Sequence, residues 1–596
     1  MKIPTSFVGY RSSTLNSNAL QERFKPGDKV TLSGWVSFVR KQKEVSFVGL
    51  RDAFGTIQVV VPHTQSFQGR LEDVVTVEGV LAERAGGKSG EFELRAEMVK
   101  VENHAKHPLP LGAGPATAAA NAAYADQQTP QQRDASLKYR YLDLRVRPYL
   151  QRNLRIRGAA ALAMRNFMTN EAGFLEVETP TLFKSTPEGA REFLVPVSST
   201  EKDAKPKFYA LVQSPQQYKQ MLMVAGIDRY FQFARCYRDE GGRADRQPEF
   251  TQLDLEMSFV RESREVERVI EGVVKAGWKA AFQLFPSEVP TPPDELKEFP
   301  RMRLEDAMRD YGSDKPNLSY GMKIHYEDSV ATVTAPGLWA AMSRKEKDDL
   351  KKFLFQEKLV DDARGSGEDY VVTAKDASHK RLGRARLILA QWMKKKGVPL
   401  PPGIMKEHEP IWITDFGMFE PNEEVEKSVS CVHHPFTAPH PDDLPKLAKT
   451  LQAIRDAPNP EEKWRQQQNL FTGLRAQHYD LVCDGMELGG GSIRIHSAEL
   501  QQRVFQDALG ISEEDCQAKF GHLLEALSLG APPHGGFALG FDRFMTLMCG
   551  SQSISDTLAF PKSSMGTDPM TGAPCPLTDA EVGAVLGRFA LKPSNA

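Results

Sequence analysis

Phe233–Glu256 reads FARCYRDEGGRADRQPEFTQLDLE, two apolar runs of strand character on either side of a loop dense in charge. The loop interleaves Arg235, Arg238, Arg243 and Arg246 with Asp239, Glu240 and Asp245, and the outgoing run carries Glu249, Asp254 and Glu256. Apolar residues recurring at every second position are the pattern of a half-buried strand. A polyphosphate held above a sheet calls for guanidinium groups, which stay charged at any working pH and grip two oxygens at once. Taken alone, the stretch also leaves open a solvated, charge-rich hairpin.

Two further stretches stand on either side of it: Gly173–Leu182, GFLEVETPTL, and Gly535–Phe544, GGFALGFDRF. In this order the three resemble motifs 1, 2 and 3 of the class II aminoacyl-tRNA synthetases, and the aspartyl subgroup in particular. QSPQQYKQ from Gln213, HHPFT from His433 and MELGGGSIRIH from Met486 extend the resemblance over almost the whole chain. The blocks HHPFTAPHP, GGGSIRIHSAELQ and GAPPHGG read closest to the mitochondrial branch of the bacterial-type enzymes.

The resemblance implies an α+β multidomain chain. An N-terminal OB-fold β-barrel joins a class II catalytic domain built on an antiparallel sheet flanked by helices, with an α+β domain of the GAD-like kind inserted. At 596 residues the chain exceeds what one core can serve. The expected division is a tail or targeting segment at 1–29, the barrel at 30–108, a hinge at 109–148, catalytic parts at 149–298 and 411–565 around an insert at 299–410, and an extension at 566–596. Five β-rich runs between Val30 and Val101 carry the barrel reading independently of any family. Gly112–Ala125 is low-complexity and suits a hinge.

Composition excludes some classes. With 76 basic and 78 acidic residues no global positive field exists, so nucleic acid must be met by local patches. The six cysteines are scattered without a Cys-x-x-Cys pair, which argues against a zinc ribbon or a disulfide framework. No apolar run approaches the roughly 18 residues of a membrane helix. The first twenty residues are rich in Ser, Thr and Asn and free of acid, a weak match to a mitochondrial presequence. The expected location is the mitochondrial matrix, with the bacterial cytoplasm as the alternative.

Carried over residue by residue, the resemblance implies ATP and Mg2+ as cofactors, L-aspartate and tRNA(Asp) as partners, and a homodimer formed through the first motif, with Pro180 in its strand. Arg238 meets the α-phosphate; Glu240, Gln247, Phe250, Glu487, Gly540 and Arg543 line the nucleotide, with Arg238, Glu240 and Arg543 as the catalytic set. Asp480 and Glu487 hold the metal. Lys219 and Arg494 take the aspartate side chain, and Asp254 its ammonium, aided by Ser214, Gln216 and Gln252; Glu188 belongs to a closing loop, and His433 and His434 position substrate. Arg40, Phe47 and Gln58 meet the anticodon. Selecting aspartate over asparagine needs cations that an amide would leave poorly paired, and Lys219 carries that choice. Two departures stand out: Asp484 where the family has Asn, and Ser555 where it has Arg.

Overall fold

The computed structural model describes residues 24–52, 55–65, 67–84, 92–111, 129–185, 190–197, 207–241, 245–327, 330–375, 379–576 and 578–588. The low-complexity stretch at 112–125 and Glu188 fall outside them. The chain divides into two compact units, one made of residues 1–155 with 551–576, the other of most of the remainder.

In the first unit the strands Lys29–Lys41, Val45–Arg51, Thr56–Pro62, Val74–Glu83 and Phe92–Asn103 close into a barrel. Period-two alternation drives closure, because Leu32, Val36, Val48, Leu50, Val59, Val77 and Leu94 all point inward and are buried together. The third strand runs parallel to the fifth and the first pairs with the fourth, so no long edge is left open. Register sets Arg40 opposite Phe47, and Gly49 opposite both Phe38 and Gln58. Arg40, Phe47 and Gln58 therefore share the outer face of three neighbouring strands. Trp35 lies under the Arg145 guanidinium, 5.4 Å from its ring centre.

The same unit contains the segment that follows the third motif. Arg140, buried, donates to the carbonyls of Ser555, Leu558 and Ala559, and Asp143 neutralises it at 3.0 Å. Ser555 thus serves this joint through its backbone, which any side chain would supply.

The second unit is organised by an eight-stranded sheet in the order Arg301–Arg303, Ile411–Thr414, His478–Cys483, Met486–Ile493, His534–Gly540, Glu249–Ser258, Arg229–Tyr237, Leu175–Glu176. Its interior pairings are antiparallel; only the two edge strands run parallel to their neighbours. The helix Ser263–Leu284 covers one face, burying Val266, Ile270, Val273, Val274, Trp278 and Ala281. Alternation along Glu249–Ser258 sends Leu253 and Leu255 into that core and leaves Phe250, Gln252, Asp254 and Glu256 on the opposite face.

The inserted domain has its own core, in which Val333, Val372, Leu382 and Leu389 are fully buried. Its four-stranded sheet runs in the order His325–Glu327, Val330–Ala335, Asp369–Ala374, Asp362–Ser366, packed by the helix His379–Lys396. That core starts later than residue 299. Arg301–Arg303 is an edge strand of the large sheet, and the helix Leu304–Tyr311 packs Ala307 and Tyr311 against Ile411, Ile413 and Val482. The basic runs of the insert are used locally: Lys396 pairs with Glu346, and Lys347 lies over Trp339.

Candidate active site

One strand lays out the site. Phe250, Gln252, Asp254 and Glu256 stand two residues apart on the open face of Glu249–Ser258, so successive side chains are roughly 7 Å apart along it. At its far end lies a buried ionic cluster. The helix Gln216–Val224 presents Gln216, Lys219 and Gln220, one turn apart and all buried. Lys219 Nζ stands 3.0 Å from Asp254 Oδ1 and 3.4 Å from Glu256 Oε2. Arg494 donates from Nε to Glu256 Oε1 at 2.9 Å and from Nη1 to Ser492 Oγ at 2.7 Å. Two cations therefore balance two carboxylates at almost no exposure, the condition under which buried charge is tolerated.

The two acids are held differently. Burial pushes Asp254 up, and Lys219 only partly offsets it. Burial also pushes Glu256 up, but Arg494 and then Lys219 outweigh it and hold the group below the usual carboxylate range. Asp254 Oδ2 accepts no hydrogen bond from the described residues. A buried, unsatisfied carboxylate oxygen is costly unless a hydrogen-bond donor completes it. Gly536 makes room for the cluster, since a Cβ there would lie 2.0 Å from Glu256 Oε2.

Other predicted partners surround this end. Gln216 donates to Gln220 Oε1, Gln220 reaches His534 Nε2 at 3.2 Å, and Gln252 Oε1 accepts from Cys236. Ser214 lies just before the helix that carries Lys219. His434 accepts the Phe436 amide on Nδ1, and burial with Arg494 and Lys219 nearby drives its imidazole to the neutral form.

At the near end charges are looser. Arg238 follows directly on the strand Arg229–Tyr237, its guanidinium 5.2 Å from the Phe250 ring centre and its Nε without a partner among the described residues. Glu240 is paired with Arg246 at 2.8 Å, and Gln247 is buried beside them in sequence. Gly540 caps the helix Phe541–Met548, whose first turn sends Arg543 to the Glu487 carbonyl at 3.3 Å and the Asp245 carboxylate at 3.4 Å. Its neighbour Asp542 is structural, accepting the Thr251 amide and pairing with Arg157.

Asp480 and Glu487 come from adjacent antiparallel strands on either side of the turn at Asp484–Gly485. Burial and then the Glu487 charge push Asp480 up to about 7. Glu487 stays below the ordinary carboxylate range because Lys315, 2.9 Å away, and Arg543 outweigh its burial. Two carboxylate oxygens form a donor set that suits a hard divalent cation. Gly490 clears the space, since a Cβ there would lie 2.5 Å from Asp480 Oδ1.

His433, His478 and Asp480 also bring ligand atoms within 4.8 Å of one another. The two imidazoles, however, stack face to face at 3.5 Å. A ligating imidazole holds its metal in the ring plane, so stacked rings do not aim at one ion. Burial pulls both below the usual histidine range, His433 to about 4 and His478 to about 3, and His478 Nε2 bonds Asp480 Oδ1 at 2.8 Å.

Several of these groups lay outside the expected set. Glu256, His478 and Ser492 had a signal, each two residues from a named partner on the same strand face. Lys315 had none, reaching Glu487 from a distant loop. Asp484 is committed elsewhere, accepting the His408 amide and its Nδ1 at 2.6 Å. Its backbone φ of 49° explains why Asn or Asp stands there, since these residues tolerate the left-handed region.

Comparison with known proteins agrees over nearly the whole length. Residues 132–564 match the family described as tRNA synthetases class II (D, K and N), and residues 30–102 match the OB-fold nucleic acid binding domain. The aspartate–tRNA ligase, mitochondrial, of Bos taurus is 38% identical, covering 92% of this chain and 85% of its own. The aspartate–tRNA(Asp/Asn) ligase of Symbiobacterium thermophilum is 39% identical, covering 92% and 95%. In fold, the chain is similar to asparaginyl-tRNA synthetase from Pyrococcus horikoshii, solved with asparaginyl-adenylate, with a TM-score of 0.56 at 18% identity over 90% of this chain and 95% of that one.

Proposed function

The chain belongs to the class II tRNA synthetases of the D, K and N group, and within them to the aspartate–tRNA ligases, and we propose that it activates L-aspartate with ATP and aspartylates tRNA(Asp). The observation that carries the choice of aspartate is the buried Lys219–Asp254–Glu256–Arg494 cluster with Asp254 Oδ2 unpartnered. The substrate ammonium completes Asp254, while Lys219 and Arg494 supply positive charge for the side-chain carboxylate. With the ammonium bound, three cations face the two carboxylates Asp254 and Glu256, and a neutral asparagine side chain would leave them one counter-charge short where aspartate supplies it. Gln216, Gln252, Ser214, His433 and His434 line the pocket.

The substrate α-carboxylate attacks the α-phosphorus, forming a carboxylate oxygen–phosphorus bond as the bond to the pyrophosphate oxygen breaks and pyrophosphate leaves. Arg238 binds the α-phosphate where charge builds; Phe250, Gln247, Gly540 and Arg543 hold the nucleotide. Mg2+ would be held by Asp480 and Glu487, and when bound it neutralises phosphate charge. In the second step a ribose hydroxyl of the tRNA 3′ terminal adenosine attacks the mixed anhydride and AMP leaves, with Glu240 at the incoming terminus. The chain supplies no nucleophile; its contribution is positioning and charge.

Arg40, Phe47 and Gln58 share one barrel face, which supports their stacking on and bonding to anticodon bases. Leu175, Leu182, Leu194, Phe208 and Tyr209 are exposed on the motif 1 strand and its neighbours, which supports a homodimer through that face. The compartment is the mitochondrial matrix, with the bacterial cytoplasm as the alternative; relatives of both kinds match about equally. No helix among the described residues is long and apolar enough to cross a membrane.

The test is ATP–pyrophosphate exchange with magnesium, comparing aspartate, asparagine and lysine. Exchange with aspartate alone is expected; exchange with asparagine or with none of the three overturns the reading. Several relatives carry the tRNA(Asp/Asn) name, so a second reading is that tRNA(Asn) is charged too, which an anticodon-swapped transcript decides.

A further inference from the structure

We propose that Lys315 is a nucleotide-binding residue of the adenylation step, presented to the site by the inserted domain. It rests on the function proposed above. Lys315 lies in the link between the helix Leu304–Tyr311 and the insert sheet, yet its ammonium stands 2.9 Å from Glu487 Oε2. Arg543 Nη1 approaches the other oxygen of the same carboxylate at 4.0 Å. Two cations thus converge on one acid at the phosphate end of the site, and Lys315 lies outside the sequence stretches that carried the site residues expected from the sequence.

The link is fastened from both sides. Arg386, on the insert helix His379–Lys396 and 1% exposed, spends its donors on the carbonyls of Asn317, Tyr320, Gly321 and Met322, with its guanidinium over the Tyr320 ring at 4.2 Å. Asn317 Nδ2 then donates to the Asp484 carbonyl at 3.1 Å, in the turn that joins the strand of Asp480 to that of Glu487. On the return path from the insert, His408 grips the Asp484 carboxylate of the same turn. The insert therefore holds both Lys315 and the turn between the two candidate metal ligands.

The ammonium also has Asp314 at 3.5 Å, and partly exposed pairs of this kind add little to stability, so stability alone gives the contact with Glu487 small purpose. An ammonium on a flexible stem is, by contrast, a good phosphate ligand that can change partners. Before nucleotide binds, Lys315 neutralises Glu487. When the triphosphate arrives its charge draws the ammonium away, which frees Glu487 for a divalent ion and places Lys315 on the departing pyrophosphate.

The test uses the full chain with Lys315→Gln, Lys315→Ala and Lys315→Arg. Calorimetry is expected to show ATP affinity about tenfold weaker in the Gln and Ala variants and partly recovered in Arg, with aspartate affinity within about twofold of wild type. In exchange assays the KM for ATP rises to match. Electron paramagnetic resonance of Mn2+ with nucleotide-free protein gives an independent readout: Lys315→Gln should bind manganese several-fold more tightly, because the competing ammonium is gone. Unchanged ATP affinity overturns the proposal whatever manganese does. Equal losses for ATP and aspartate with a lowered Tm overturn it in favour of a brace. If wild type binds ATP but exchanges with no amino acid, the functional reading falls while calorimetry still judges Lys315.

Discussion

The two ends of the site solve the same problem, holding charge, in opposite ways. At the end proposed to take the amino acid Lys219, Asp254 and Glu256 are at most 1% exposed and each cation faces a carboxylate. At the end proposed to take the nucleotide Arg543 and Glu487 are 27% and 28% exposed, Asp245 is 55% exposed, and the contacts of Arg543 run from 3.3 to 4.0 Å. A dry, paired cluster can reject a neutral isostere because nothing else solvates its charges. A wetter, looser set can release pyrophosphate and meet a tRNA terminus without breaking a buried network.

The largest effect should come from the dry end. Lys219→Ala strands the buried Asp254 carboxylate and leaves Glu256 to Arg494 alone, so stability should fall by about 3–5 kcal/mol and aspartate-dependent exchange by at least roughly 1,000-fold, read by urea melts and isotope exchange. Survival of exchange within about tenfold would break the contrast. Arg238→Ala, at the wet end, should cost about 100- to 1,000-fold in exchange with aspartate affinity and melting temperature nearly unchanged. A matching loss of stability would show that this end is as pre-paired as the other.

Asp480 sharpens the boundary between the two. Its carboxyl is raised from 3.8 to about 7, so the folded state keeps a proton that the unfolded chain has lost. Its cost is absent below pH 3.8 and grows as pH rises towards 7, and Asp480→Asn should remove that decline, by roughly 4 kcal/mol at pH 8 in thermal melts. Divalent-ion binding should strengthen over the same window, as protons cease to compete. A flat pH profile in wild type would contradict the assignment.

The smallest effect belongs to the His408–Asp484 joint. The bond to Asp484 raises the His408 pKa above 6.5, so its stabilisation is fully present below pH 6.5 and is lost as pH climbs through the raised value. The pair is partly exposed, so His408→Ala should cost no more than about 1 kcal/mol at pH 6 and less at pH 9. An equal cost at both would mean that packing, not charge, holds the turn.

How much of this was legible depends on range. The barrel strands were readable because each alternates apolar residues at period two, and Phe250, Asp254 and Glu256 fall on one face by the same rule. The Gly at 536 was visible as part of a motif, but its purpose, clearing the Glu256 carboxylate, needed the neighbouring strand. The insert was placed by its position between motifs, yet its core begins after the strand Arg301–Arg303, which too few residues mark as part of the larger sheet.

What the sequence by itself determined was the family, the barrel and the types of charge the chemistry requires, because motif order, strand periodicity and residue chemistry are local properties. Only the tertiary structure decided which charges pair, that Asp484 answers to His408, and that Lys315 stands beside Glu487. Those contacts join segments far apart in the chain, and a distance between segments is written in the packing of the core, not in any one stretch of residues.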